Sequence, residues 1–199
     1  MELGHKLLSP ISFGDVVCFP ISGLGLVILK KQTGQQVKRI RIKEELVSAV
    51  HSKNKLLLLG KRWFYVLEMP SGKPLWKTLV KGGDYHEMIQ PNSNSCVIRS
   101  ADGKSSFIHF VDTQNRRIAW RRRIEEKVVK IGCCGGSVYV ITKSNFMLEI
   151  DPKRGLIRNK YFYPSLVPTS VGFSHDTMYF ADYTGRFVAI KPEARLVCN

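Results

Sequence analysis

Short apolar runs alternate with polar turns from end to end of the chain. Turn-forming pairs stand beside these runs at five places: Gly14-Asp15, Asn54-Lys55, Asn94-Ser95, Gly135-Gly136 and His175-Asp176. Their first residues are 40, 40, 41 and 40 positions apart. From His175 past the end of the chain and on to Gly14 is 38 more, so the count closes after five nearly equal steps. Self-similarity at this period is the mark of a repeat architecture.

Each step has the same contents. A first β-rich run covers residues 16–19, 56–59, 96–98, 138–141 and 178–180. A second covers 26–29, 63–67, 107–111, 146–150 and 187–190. Both are short and rich in Val, Ile, Phe, Tyr and Leu, as strands are. A turn follows in phase at 31–34, 69–72, 113–116, 152–155 and 192–195, supplied with Gly, Pro and Asn. A third strand begins there. In the first step Ile40 and Ile42 fall on one face and Arg39, Arg41 and Lys43 on the other, the period-two alternation of a half-buried strand. Fourth runs at 46–50, 86–89, 127–131 and 167–171 lead into the next turn pair. Residues 38–50 also admit an amphipathic helix, but the equivalent segments carry prolines and β-branched residues.

Four antiparallel strands per forty-residue unit, repeated around a ring, predict an all-β fold: a single five-bladed β-propeller of four-stranded blades over residues 1–199. The repeats start near residues 14, 54, 94, 135 and 175. The fifth unit lacks a fourth strand. Residues 6–12 stand ahead of the first turn pair and are expected to supply it, so that residues 1–13 complete the last blade and close the ring.

The units resemble the repeats of quinoprotein-type (PQQ-like) propellers. There a strand ends in Leu-Asp, a glycine turn follows, and a tryptophan comes four residues on. Ile150, Asp151 and Gly155 fit; Leu67, Glu68, Gly72 and Trp76 fit; Val111, Asp112 and Trp120 fit with Arg116 in the glycine place. Leu29, Lys30 and Gly34, and Ile190 with Lys191, are weaker matches. The resemblance implies the fold and a packing role between blades for Trp76 and Trp120. Quinoprotein enzymes have eight blades and a dedicated cofactor site. No such site is found here, and no cofactor is expected.

Composition narrows the function. Hydrophobic residues make up 44% of the chain, ample for a packed core. No apolar run is long enough to span a membrane. The five cysteines (Cys18, Cys96, Cys133, Cys134, Cys198) and five histidines have no metal-ligand spacing, so no metal is expected. An odd cysteine count, and a start without the features of a secretory signal, point to an intracellular protein, cytoplasmic or nuclear and not secreted.

No nucleophile elbow, P-loop or metalloprotease motif occurs, and no catalytic residue is assigned. Some five-bladed propellers are glycosidases. The first strands are expected to line the channel, and their ends offer Pro20, Gly60, Lys61, Arg99, Ser100, Thr142, Lys143 and Asp182, a poor set for carboxylate chemistry.

Charge changes the picture most. Lys+Arg number 31 against 16 Asp+Glu, a formal charge of +15. The cations cluster. One cluster is Lys38, Arg39, Arg41 and Lys43. A second is Arg116, Arg117, Arg121, Arg122, Arg123, Lys127 and Lys130, net +5 with Glu125 and Glu126. A third holds Arg154, Arg158 and Lys160. All begin at the turn into the third strand, toward the outer rim. Charge on outer strands discourages edge-to-edge pairing. The two-to-one excess of bases goes further and points to an anionic partner. The expectation is a non-catalytic docking subunit of a larger assembly, touching other protein subunits and RNA or DNA, or a ribonucleoprotein. A lectin-like or small-ligand propeller is the rival, as is the glycosidase reading.

Overall fold

The computed structural model describes residues 6–80, 84–163, 168–174, 176–182 and 184–191. No helix long and apolar enough to cross a membrane is present among them. The described residues build five antiparallel sheets. The first contains β1 (Ile11–Phe13), β2 (Val16–Ile21), β3 (Gly25–Lys30) and β4 (Gln36–Arg41). The second contains β5 (Leu46–Ser52), β6 (Lys55–Gly60), β7 (Trp63–Glu68) and β8 (Lys73–Leu79). The third contains β9 (Asp84–Asn92), β10 (Ser95–Asp102), β11 (Ser105–Asp112) and β12 (Arg117–Ile124). The fourth contains β13 (Val128–Cys134), β14 (Ser137–Thr142), β15 (Phe146–Ile150) and β16 (Ile157–Phe162). The fifth contains β17 (Pro168–Phe173), β18 (Met178–Asp182) and β19 (Phe187–Ile190). Residues 38–50 are strand on either side of a short connection, not helix.

The sheets are out of phase with the expected units. Each run that precedes a turn pair belongs to the sheet that follows it. The reason is local: a two-residue turn folds its flanking strands onto each other. Phe13 thus faces Val16, Ser52 faces Lys55 and Cys134 faces Ser137. Gly135 and Gly136, with φ of 54° and 76°, have the doubly positive backbone that such a hairpin turn demands. The same logic corrects the closure of the ring. Ile11–Phe13 pairs with Val16–Ile21, and Leu7 bridges Ile21, so the N-terminal segment belongs to the first sheet, and among the described residues it pairs with no strand of the fifth. Residues 175 and 192–199, which carry the last turn pair's histidine and the last turn, lie outside the described residues.

Neighbouring sheets meet through their first strands: β5 lies against β9, β9 against β13 and β13 against β17. These are the innermost strands. The runs after the turn pairs are therefore second strands and not the innermost ones.

The second strands explain why the sequence reads as unbroken apolar runs. In the three middle sheets, β6, β10 and β14 are covered on both faces, so there is no solvent face to alternate with. Leu56 and Leu58 enter the core shared with the first sheet, while Leu57 and Leu59 enter the core shared with the third. Val138 and Val140 face the third sheet, and Tyr139 and Ile141 the fifth. Each such buried side chain contributes about 1.5–3 kcal/mol. Four cores result, one between each consecutive pair of sheets.

Candidate functional site: the basic rim and the gaps between sheets

The outermost strands β4, β8, β12 and β16 are the exposed ones, and they carry most of the cations singled out above. Lys38, Arg39 and Arg41 lie on β4, with Lys43 just past its end. Arg117, Arg121, Arg122 and Arg123 lie on β12, with Arg116 in the turn before it and Lys127 in the link after it. Arg154 sits in the turn ahead of β16, and Arg158 on that strand. Lys130 is elsewhere: it is on β13, an innermost strand. The first and third sheets are separated by the second, so the two main clusters do not merge.

Many of these cations are occupied. Lys38 Nζ donates to the Ser71 carbonyl at 2.7 Å, from the first sheet to a turn of the second. Arg122 Nε donates to the Gly155 carbonyl, from the third sheet to a turn of the fourth. Trp120 Nε1 joins it, donating to the Pro152 carbonyl at 2.8 Å while its indole lies over Gly155. Arg123 reaches Ser105 Oγ at 3.0 Å, and Arg158 pairs with Asp151 at 2.6 Å. Arg117 and the amide donors of Asn115 help hold Asp112 below the usual carboxylate range; the Asn115 bonds are the larger cause. Arg39, Arg41, Lys43, Arg116, Lys127 and Arg154 make no side-chain hydrogen bond or ion pair with described residues. These six are the members of the three clusters whose charge is available to a partner.

Three features go beyond the expectations drawn from the sequence. First, a cation lies over an aromatic ring near the start of the third strand in three sheets. Lys77 is 4.8 Å from the Trp63 ring, Arg121 3.8 Å from Phe107 and Lys160 3.6 Å from Phe146. Such pairs are worth about 0.5–1 kcal/mol at exposed sites. The signal was available: Trp63, Phe107 and Phe146 recur in phase, and so do Arg39, Lys77, Arg121 and Lys160. Second, Glu87 on β9 pairs with Lys130, and lies 3.5 Å from Arg99 Nε. Arg99 also donates to the Val128 carbonyl at 2.6 Å, tying the third sheet to the fourth. Burial lowers the Arg99 pKa and Glu87 opposes it. Third, Ser100 Oγ lies 3.1 Å from His109 Nε2. A hydroxyl beside an imidazole is the arrangement of a nucleophile and its base. Here Ser100 is 0% and His109 1% exposed, so no substrate reaches them. Burial, reinforced by Arg121, holds the imidazole down at about 4.

No group of three metal-ligating side chains occurs among the described residues. Cys18, Cys96 and Cys134 are buried and Cys133 half-buried. Burial pushes the Cys18 thiol up to about 11 and Cys133 up to about 12. Cys198 lies outside the described residues.

No protein-family model matches the chain. The outer membrane protein assembly factor BamB of Burkholderia pseudomallei is 32% identical over 103 residues, which are 51% of this chain and 26% of that protein. BamB from Moraxella catarrhalis superposes with a TM-score of 0.63 at 18% identity, over 89% of this chain and 55% of that one. The computationally designed protein Ika8 superposes with a TM-score of 0.74 at 12% identity, over 94% of this chain and 58% of that one. The WD40 domain of Neurospora crassa Pan2 gives 0.66 at 10% identity, over 95% and 61%. The fold is thus propeller-like, and the resemblance to PQQ-like repeat propellers holds at the level of the fold. The chain spans about a quarter of its curated relative and less than two thirds of each structural neighbour.

One expectation is overturned. A relative that is an outer membrane protein assembly factor points against an intracellular, cytoplasmic or nuclear, placement. The thiol argument fails for a physical reason. Buried thiols with raised pKa hold almost no thiolate, so they resist oxidation and do not report the redox state of their compartment.

Proposed function

We propose that the chain is a non-catalytic docking propeller that joins protein subunits of a larger assembly through its basic rim. One observation carries the reading: the clustered cations that face inward or into the next sheet are paired, while six cluster members on the rim are not. The relationship to an assembly factor over half of the chain supports the same class of function. An acidic protein surface is the partner that this rim fits. Contact with RNA or DNA backbone draws on net charge alone, and the assembly-factor relative favours protein over it. No catalytic residue, metal or cofactor enters this reading.

Copurification from the native host, followed by mass spectrometry with and without nuclease, tests it. The same proteins should be recovered in both samples. They should be lost when Arg39, Arg41, Lys43, Arg116, Lys127 and Arg154 are reversed to Glu. Recovery that disappears with nuclease would favour the nucleic-acid contact instead. Recovery unchanged in the reversed protein would remove the rim from the mechanism.

A further inference from the structure

The repeats differ at one position that governs how consecutive sheets close on each other. Four residues past the turn, the outermost strands carry Lys38, Trp76, Trp120 and Asn159 in corresponding places. Trp120 fills the gap between the third and fourth sheets, its ring over Gly155 and its N–H on Pro152. Lys38 cannot do this. Its flexible stem reaches Ser71 instead, and Gly72 is covered by Ile40. Between the first and second sheets a groove of about 400 Å³ remains. Ile40, Ile42, Tyr65, Leu67 and Trp76 are among its lining residues, together with the cations Arg41 and Lys77.

We propose that this groove receives an apolar side chain from an extended acidic segment of a partner protein. The inference rests on the docking reading above and names the site and chemistry of the contact. Three observations fix the occupant. The lining is chiefly hydrocarbon, so the anchor is apolar. The volume is at the low end for a ligand pocket and suits a side chain or two. The surrounding charge is positive, because the nearby acids are already engaged. Glu44 accepts hydrogen bonds from the Arg62 and Trp63 amides and from the Tyr65 hydroxyl, the last at 2.9 Å. Glu45 pairs with Lys61 at 2.6 Å. Arg39, Arg41 and Lys43 have no such partner among the described residues, so carboxylates flanking the anchor gain and lysines there are repelled. The outer edge of β4 is unpaired in the sheet, and a segment lying along it can add backbone hydrogen bonds.

Fluorescence anisotropy on the full chain tests this with three labelled octapeptides. One has a central leucine flanked by Asp and Glu. The second replaces the leucine with serine. The third keeps the leucine and replaces every acid with lysine. The leucine–acid peptide should bind, the serine version about tenfold or more weaker, as loss of one buried leucine implies. The lysine version should not bind. Ile40→Phe, which fills the groove, should weaken the first peptide about tenfold while leaving its salt dependence in place. Arg41→Glu with Lys77→Glu, both on exposed residues, should weaken it and flatten the salt dependence. Melting temperatures of all variants check that they fold, and the exposed pair keeps the test valid if Ile40→Phe does not. Equal affinity for the leucine and serine peptides, absence of binding, or indifference to the exposed pair would overturn the proposal. Such a failure alongside intact copurification would refute the groove alone; loss of both would refute the docking reading.

Discussion

Protonating His109 costs more in the folded chain than in the unfolded one. The imidazole is buried on β11 beside Ser100, and burial first, then Arg121, lower its pKa from 6.5 to about 4. Above pH 6.5 both states are neutral and the residue adds no pH dependence. As pH falls from 6.5 toward 4 the unfolded chain takes the proton first, so stability declines across that window. The full effect is roughly 3 kcal/mol, at about 1.36 kcal/mol per pKa unit. Urea midpoints at pH 7.5 and pH 5 should therefore differ, and His109→Gln should shrink the difference. An unchanged pH profile in the variant would place the titration elsewhere. The sequence shows a histidine in a strand. It does not show that Ser100, nine residues away, comes to face it from the neighbouring strand.

Between elements, one contact recurs: an outer strand reaches the turn of the next sheet. Trp120 shows its parts. Trp120→Phe keeps a ring over Gly155 but loses the bond to Pro152, and should cost about 1 kcal/mol. Trp120→Ala loses the packing too and should cost about 3 kcal/mol. Gly155→Ala should destabilise as well, because φ is +68° and the indole occupies the space a methyl group would need. Denaturant unfolding of the three variants checks the order. Equal losses for Phe and Ala would mean that the ring does not pack. Here much was legible: the glycine-to-tryptophan spacing and the turn chemistry are local, and both hold. The partner of each side chain was not, because Lys38 and Ser71, or Arg122 and Gly155, stand 33 residues apart.

At the scale of the molecule, the strand pairings predict where an N-terminal deletion is felt. Removing residues 1–13 takes away Ile11 and uncovers the edge of β2. Hydrogen exchange should speed up along Val16–Ile21 and leave Met178–Asp182 unchanged. Faster exchange in β18 with β2 protected would restore the closure expected from the sequence. The order of the sheets also sets the available charge: Lys130 is drawn inward to Glu87, while Arg39 and Arg41 remain on the rim.

The sequence by itself determined where the strands fall, the forty-residue period and the turn residues. Alternation, apolar runs and positive φ at Gly act over a few neighbouring residues, so they are written in order along the chain. Tertiary structure decided which edge each run pairs with, which strands are innermost, and which cations are spent between sheets. Those outcomes depend on partners some thirty to forty residues away, brought near only when one sheet packs on the next.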